Sequence, residues 1–88
     1  MRLLTFTPNG WEEHVYWQEH DKKIARKINH LIKEIMRTPF SGSGKPELLT
    51  GDYSGYWSRR IDDKHRLVYS VSDEQILIAQ CRFHYRKS

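Results

Sequence analysis

An 88-residue chain has room for one hydrophobic core and no second domain, and 38% hydrophobic content with Trp11, Trp17 and Trp57 is enough to fill that core without staples. Fifteen Lys and Arg against eleven Asp and Glu leave a formal charge of +4, which favours a polyanionic partner such as RNA. One cysteine, Cys81, excludes an internal disulfide; no segment has the basic start and apolar run of a secretion signal, and none approaches the roughly 20 apolar residues of a membrane span, so a reducing cytoplasm is the expected setting.

Arg2 to Thr7 reads as a short strand stopped by Pro8-Asn9-Gly10. Asn9, with Glu12 three residues on, is expected to cap a first helix running through Trp11, Val15 and Gln18. Asp21 is expected to cap a second helix, whose Ile24, Ile28, Leu31, Ile32 and Ile35 recur at helical spacing and form one buried stripe. Lys22, Lys23, Arg26, Lys27 and Lys33 fall mostly off that stripe and read as a solvated face. Thr38-Pro39 ends the helix, because a proline disfavours helical geometry in the residue before it. The loop from Phe40 to Glu47 is rich in turn formers and holds a single acid.

From Tyr56 onward the pattern is that of strands, punctuated by Asp62-Asp63-Lys64 and Ser72-Asp73-Glu74. The expected fold is one α+β domain over residues 1–88, β-α-α-β-β-β in order, with two helices packed on an antiparallel sheet. Alternation assigns Trp57, Ile61, Leu67, Tyr69, Val71, Leu77, Ala79, Cys81 and Phe83 to the face under the helices, with Arg59 and His65 as polar exceptions. Ser58, Arg60, Arg66, Ser70, Gln80, Arg82 and His84 fall on the open face, which thereby collects three arginines and a histidine.

A three-residue turn at Asp62 to Lys64 pairs Ile61 with His65 and sets Arg60 directly opposite Arg66. Like charges facing across a ladder are unfavourable unless something anionic lies over them. The alternative reading pairs each arginine with a nearby carboxylate, Asp52, Asp62 or Asp63.

The chain has no nucleotide-binding glycine pattern, zinc spacing or nucleophile elbow. His14 with His20, and His30 with Glu34, make poor metal sites and read as surface residues. RNA is cut without metal when its own 2′-hydroxyl attacks the adjacent phosphate. That reaction needs a base for the hydroxyl, an acid for the departing 5′-oxygen, and cations for the charge that builds up between them. Glu47 suits the base, His84 the acid, and Arg66 with Arg60 the phosphate. Each has a plainer alternative, Glu47 as a solvated loop carboxylate and His84 as a cap on a strand end.

Trp17-Gln-Glu-His-Asp-Lys-Lys23, Lys27-Ile-Asn-His-Leu-Ile-Lys33, Arg37-Thr-Pro-Phe40, Gly44-Lys-Pro-Glu47, Ser54-Gly-Tyr-Trp-Ser-Arg-Arg-Ile61, His65-Arg-Leu-Val-Tyr69 and Cys81-Arg-Phe-His-Tyr85 follow one another in an order and spacing that resemble the YoeB toxins, of the RelE/ParE superfamily, over nearly the whole chain. The resemblance implies a microbial-ribonuclease-like fold and a ribosome-dependent endoribonuclease, an mRNA interferase that cuts mRNA in the ribosomal A site without metal or cofactor. It also implies a homodimer and neutralisation by a YefM-type antitoxin. Carried over by position, Glu47 is the implied general base, Arg66 the phosphate-stabilising arginine and His84 the general acid. Arg60 and Tyr85 are implied supporting residues, and Arg82, on the expected open face, joins them as an RNA contact.

Two features depart from close relatives. Leu48-Leu49 stands where Pro-Leu follows the glutamate, and Arg86-Lys87-Ser88 runs past the tyrosine at which some relatives end. The competing readings are a non-enzymatic, ParE-like toxin on the same scaffold, which lacks this Glu/Arg/His set, and an RNA-binding module that only contacts phosphate.

Overall fold

A computed structural model describes residues 1–84. Strand β1 (Leu3–Phe6) leads into helices α1 (Pro8–His20) and α2 (Lys22–Arg37). The two-residue strand β2 (Glu47–Leu48) and a 3-10 turn (Gly51–Tyr53) come next, followed by β3 (Tyr56–Arg60), β4 (Arg66–Val71) and β5 (Gln75–Gln80). The five strands form one sheet in the order β1-β5-β4-β3-β2. Both helices pack on it through a core of Trp17, Ile28, Leu31 and Ile35 against Leu67, Tyr69, Ile76 and Ile78.

The α+β class and the segregation of helices from strands are as expected. The sheet itself is mixed, because β1 runs parallel to β5, pairing Leu3 with Gln75 and Phe6 with Ile78, while every other pair is antiparallel. The short β2 is an addition to the expected strands.

Asp21 caps α2 as expected, its carboxylate accepting from the Lys23 and Ile24 N–H groups. The Ile28–Ile35 stripe is buried, and α2 stops at Arg37 ahead of Pro39. The start of α1 differs from expectation, since the cap is Thr7 and not Asn9. The Thr7 hydroxyl accepts from Gly10 N–H at 3.0 Å. Pro8 lies at the first helical position, where its fixed φ suits the helix and its missing N–H costs nothing, so the helix begins two residues earlier. Asn9, inside the helix, donates to the Ala79 carbonyl at 3.2 Å. Gly10 is buried where a Cβ would run into the Ile78 carbonyl oxygen, which lets α1 lie directly on β5.

In β3 and β4 the alternation holds for Arg59, Leu67 and Tyr69 on the helix side, although Ser58 and Val68, at even positions, are buried as well. In β5 it fails, because Ile76 and Ile78 are buried while Leu77 and Ala79 are only partly so. The register explains this: Tyr69 faces Ile78 but Val68 faces Gln80, so Ala79 is an extra residue in a bulge. One extra residue shifts the alternation by one, and Cys81 returns to the core beyond it. Phe83, expected to face inward, is half exposed.

Candidate active site

The open face of β2-β3-β4 carries a cleft of about 440 Å³ lined by Lys45, Pro46, Glu47, Ser58, Arg60, Arg66 and His84. Four of the residues singled out in the sequence, Glu47, Arg60, Arg66 and His84, therefore border one space, although they come from four separate parts of the chain.

Glu47 opens β2 and faces Ser58, which is buried at the cleft floor. The loop before it is turned toward the sheet by two consecutive residues in left-handed geometry, Gly44 (φ 83°) and Lys45 (φ 52°), and Pro46 then restricts the backbone. The Gly44 carbonyl accepts from Arg60 N–H at 2.7 Å. After Glu47, Leu48 pairs with Trp57, and buried Leu49 donates its N–H to the Tyr56 carbonyl at 2.9 Å. Strand pairing thus restrains the segment that follows Glu47.

The other side of that loop is held by Arg59, one of the two polar exceptions on the helix-facing side. Its guanidinium is fully buried and meets Glu34 of α2 at 2.6 Å. It also donates to the carbonyls of Thr38 (2.8 Å), Ser41 (2.9 Å) and Ser43 (3.2 Å), and to the Tyr69 hydroxyl (3.1 Å). The Tyr69 hydroxyl in turn donates to the Pro39 carbonyl at 2.7 Å. Glu34, expected at the surface, is a structural partner, and its carboxyl is held below the ordinary value chiefly by the Ser43 N–H, with the Arg59 charge adding to it. Desolvation raises the Tyr69 hydroxyl, opposed by Arg59.

Arg60 and Arg66 face each other across the ladder, as the three-residue turn implied. Asp62 does not pair with either. Its carboxylate accepts from the Lys64 and His65 N–H groups at 2.9 and 2.7 Å and shapes the turn. Arg66 is fixed by donation to the backbone carbonyls of Asp62 (2.8 Å) and His65 (3.1 Å). Neither Arg60 nor Arg66 is within ion-pair distance of a carboxylate among the described residues, and Glu47 is the carboxylate that borders the same cleft.

His84 arrives on a segment tied down at almost every backbone group. The Cys81 N–H donates to Glu13 at 2.8 Å, and the Cys81 carbonyl accepts from the Trp17 indole at 2.8 Å. The Gln80 amide donates to the carbonyls of Arg82 and Phe83, Arg66 N–H donates to the Phe83 carbonyl at 3.0 Å, and Phe83 N–H donates to His65 Nδ1 at 2.6 Å. Burial raises the Glu13 carboxyl, although backbone donors from Cys81 and Arg82 and the Arg82 charge oppose the rise. The Cys81 thiol is pushed up to about 12, mainly by burial.

Arg82 does not join Arg60 and Arg66. Its guanidinium lies over the Tyr16 ring at 3.7 Å and over Phe83 at 4.5 Å, in a second cleft of about 370 Å³ that shares His84 with the first. Tyr85 and the tail that follows it lie outside the described residues. Lys45 and Ser58 line the cleft without having been singled out, and the signal available for Lys45 was its place beside Pro46 and Glu47. Among the described residues no three His, Cys, Asp or Glu side chains come together as a metal-binding group. No helix among the described residues is long and apolar enough to cross a membrane.

This fold is that of a class of small bacterial toxins: a YoeB/ParE toxin from Agrobacterium tumefaciens superposes with a TM-score of 0.91 at 49% identity, covering 97% of this chain and all of its own. The family profile for the YoeB-like toxin of bacterial type II toxin-antitoxin systems matches residues 6–85. Toxin YoeB of Streptomyces coelicolor is 60% identical over 82 residues, 93% of this chain and 98% of the relative. The chain belongs to the YoeB-like toxin family. YoeB from Staphylococcus aureus has been solved as a dimer (TM-score 0.88, 48% identity, 96% of this chain and 98% of that one). A YoeB–YefM complex from Staphylococcus aureus has also been solved (TM-score 0.87, 48% identity, 97% of this chain and 100% of that one).

Proposed function

We propose that this toxin is an mRNA interferase that cleaves ribosome-bound mRNA by metal-independent acid/base chemistry. The observation that carries the reading is the convergence of Glu47, Arg60, Arg66 and His84 on one open cleft. The Glu47 carboxylate takes the proton of the attacking 2′-hydroxyl, whose oxygen then bonds to phosphorus. Arg60 and Arg66 offset the charge on the non-bridging oxygens. His84 gives a proton to the 5′-oxygen as its bond to phosphorus breaks, leaving a 2′,3′-cyclic phosphate and a 5′-hydroxyl. Their facing arrangement supports the phosphate-binding role, since it is offset when an anion lies between them.

The shallow site on so small a protein fits an enzyme to which the ribosome, in the cytoplasm, presents RNA already extended in the A site. Tyr85, next to His84, is a further RNA contact in this reading, as is Arg82 from the adjoining cleft. The YefM complex and the dimer of the S. aureus relative support a YefM-type antitoxin and a homodimer here as well.

The test is single-turnover cleavage of a defined mRNA on purified ribosomes, with ends mapped by primer extension. Glu47→Gln and His84→Gln are each expected to slow cleavage about a hundredfold or more without unfolding the protein. Near-normal cleavage by either variant removes that residue from the chemistry, and no cleavage by the unmodified protein removes the enzyme reading.

A further inference from the structure

We infer that His65 is a positioning residue for His84, acting through the hydrogen bond that its Nδ1 accepts from the Phe83 backbone N–H (2.6 Å). The inference deepens the proposed function and rests on the reading of His84 as the proton donor.

The backbone makes its last turn before His84 at Phe83, which is left-handed (φ 65°) without being glycine. A bulky side chain disfavours that geometry, so it persists where surrounding contacts over-determine it. Upstream, Glu13 and Trp17 fasten Cys81. The Phe83 carbonyl is engaged by Arg66 N–H and by the Gln80 amide. Its N–H is engaged by His65, so the Phe83 turn is clamped on both sides immediately before the residue that enters the cleft.

His65 is itself rigid. Its ring stands edge-on to Trp17 at 4.8 Å, its N–H donates to Asp62, and its carbonyl accepts from Ile61 N–H at 3.0 Å and from the Arg66 guanidinium at 3.1 Å. One residue thus ties the turn that orients Arg66 to the turn that orients His84. Accepting from an N–H uses the lone pair of Nδ1, so this bond needs an acceptor atom at that place on the side chain.

The chemistry of that single acceptor supplies the test. Asn at position 65 sets an amide oxygen near the place of Nδ1, whereas Gln reaches toward the place of Nε2 and Leu offers no acceptor. Single-turnover cleavage on ribosomes should fall about a hundredfold in His65→Gln and His65→Leu, the scale expected for a displacement of about an ångström in a reacting group. His65→Asn should recover most of the rate. If the loss is one of proton delivery, a substrate with sulfur in place of the bridging 5′-oxygen should shrink the defect of His65→Gln and His65→Leu, as it should for His84→Ala. A thiolate leaves without needing a proton.

Amide exchange at Phe83, followed by NMR, reads the bond without any activity: slow in the unmodified protein and in His65→Asn, faster in Gln and Leu. His65→Gln keeps the bulk and polarity of the position if His65→Leu does not fold. The inference is overturned if Asn is as defective as Leu, if sulfur leaves the Gln and Leu defects unchanged, or if Phe83 exchanges equally fast in all forms. Should the unmodified protein fail to cleave RNA at all, the proposed function falls, and the Phe83 exchange pattern alone decides whether His65 holds this turn.

Discussion

Replacing Arg59 by Met tests whether the loop in front of Glu47 is held from beneath. The substitution keeps an unbranched side chain of comparable length and removes the donors that reach Glu34, the Tyr69 hydroxyl and the carbonyls of Thr38, Ser41 and Ser43. Breaking a fully buried charge pair from one side costs about 3–5 kcal/mol, an upper range here because Arg59 is wholly buried but Glu34 is 16% exposed. The residues carrying the three carbonyls are exposed, and Glu34 keeps the Ser43 N–H at 2.6 Å and the Ser43 hydroxyl at 3.0 Å, so water and existing partners recover part of the loss. The Tyr69 hydroxyl also keeps its acceptor, the Pro39 carbonyl. The low end, about 3 kcal/mol, is therefore expected, which for a domain of this size lowers the Tm by about 12–24 °C. Urea melts measure the difference, and Arg66→Ala is the control. Arg66 is partly exposed, makes no ion pair among the described residues, and bonds the Asp62 and His65 carbonyls near the surface where water can replace it, so its loss should change stability by no more than about 1 kcal/mol while removing cleavage. A loss below about 1 kcal/mol in Arg59→Met, or an equal loss in both variants, refutes the division between a structural and a functional arginine.

The role of His84, as distinct from its importance, is tested by the bridging 5′-sulfur substrate, which should largely rescue His84→Ala and do less for Glu47→Ala, because activation of the 2′-hydroxyl is still required. If sulfur speeds the unmodified protein and His84→Ala by the same factor, with chemistry rate-limiting, His84 does not protonate the leaving group. Cys81, buried and with its thiol pushed up to about 12, should stay almost unreactive toward iodoacetamide at pH 8 in the folded protein and react readily in urea. Fast alkylation of the folded form would mean that the packing of α1 on β5 opens more often than the structure implies.

Much of the site was readable from local pattern. A three-residue turn between two alternating strands is enough to set Arg60 against Arg66, because turn length and a period of two determine the register within about ten residues. Stripe spacing and an Asp-capped start delimited α2, and Pro39 its end. Glu47 and His84 were recognisable as chemical candidates by residue type and by resemblance. That they border the same cleft is a property of the folded chain, because β2 must pair with β3 and the 81–84 segment must turn beside β4.

Other features depended on partners far away in sequence. The parallel pairing of β1 with β5 joins residues about seventy positions apart, and nothing local in either strand declares it. The bulge at Ala79 is a mismatch between β5 and β4, visible only when the two are aligned, and it carried Leu77 away from its expected face. Arg82 left the open face beyond the bulge and settled on the Tyr16 ring. Alternation did identify Arg59 and His65 as polar residues out of place on an apolar face, but it could not say what they do there. Their partners include backbone groups of segments that tertiary packing brings to them: Arg59 holds the loop ahead of Glu47, and His65 holds the turn ahead of His84. Periodicity records which side of a strand a residue occupies, whereas a buried donor or acceptor is satisfied by whatever the folded chain presents, and only the tertiary structure decides that.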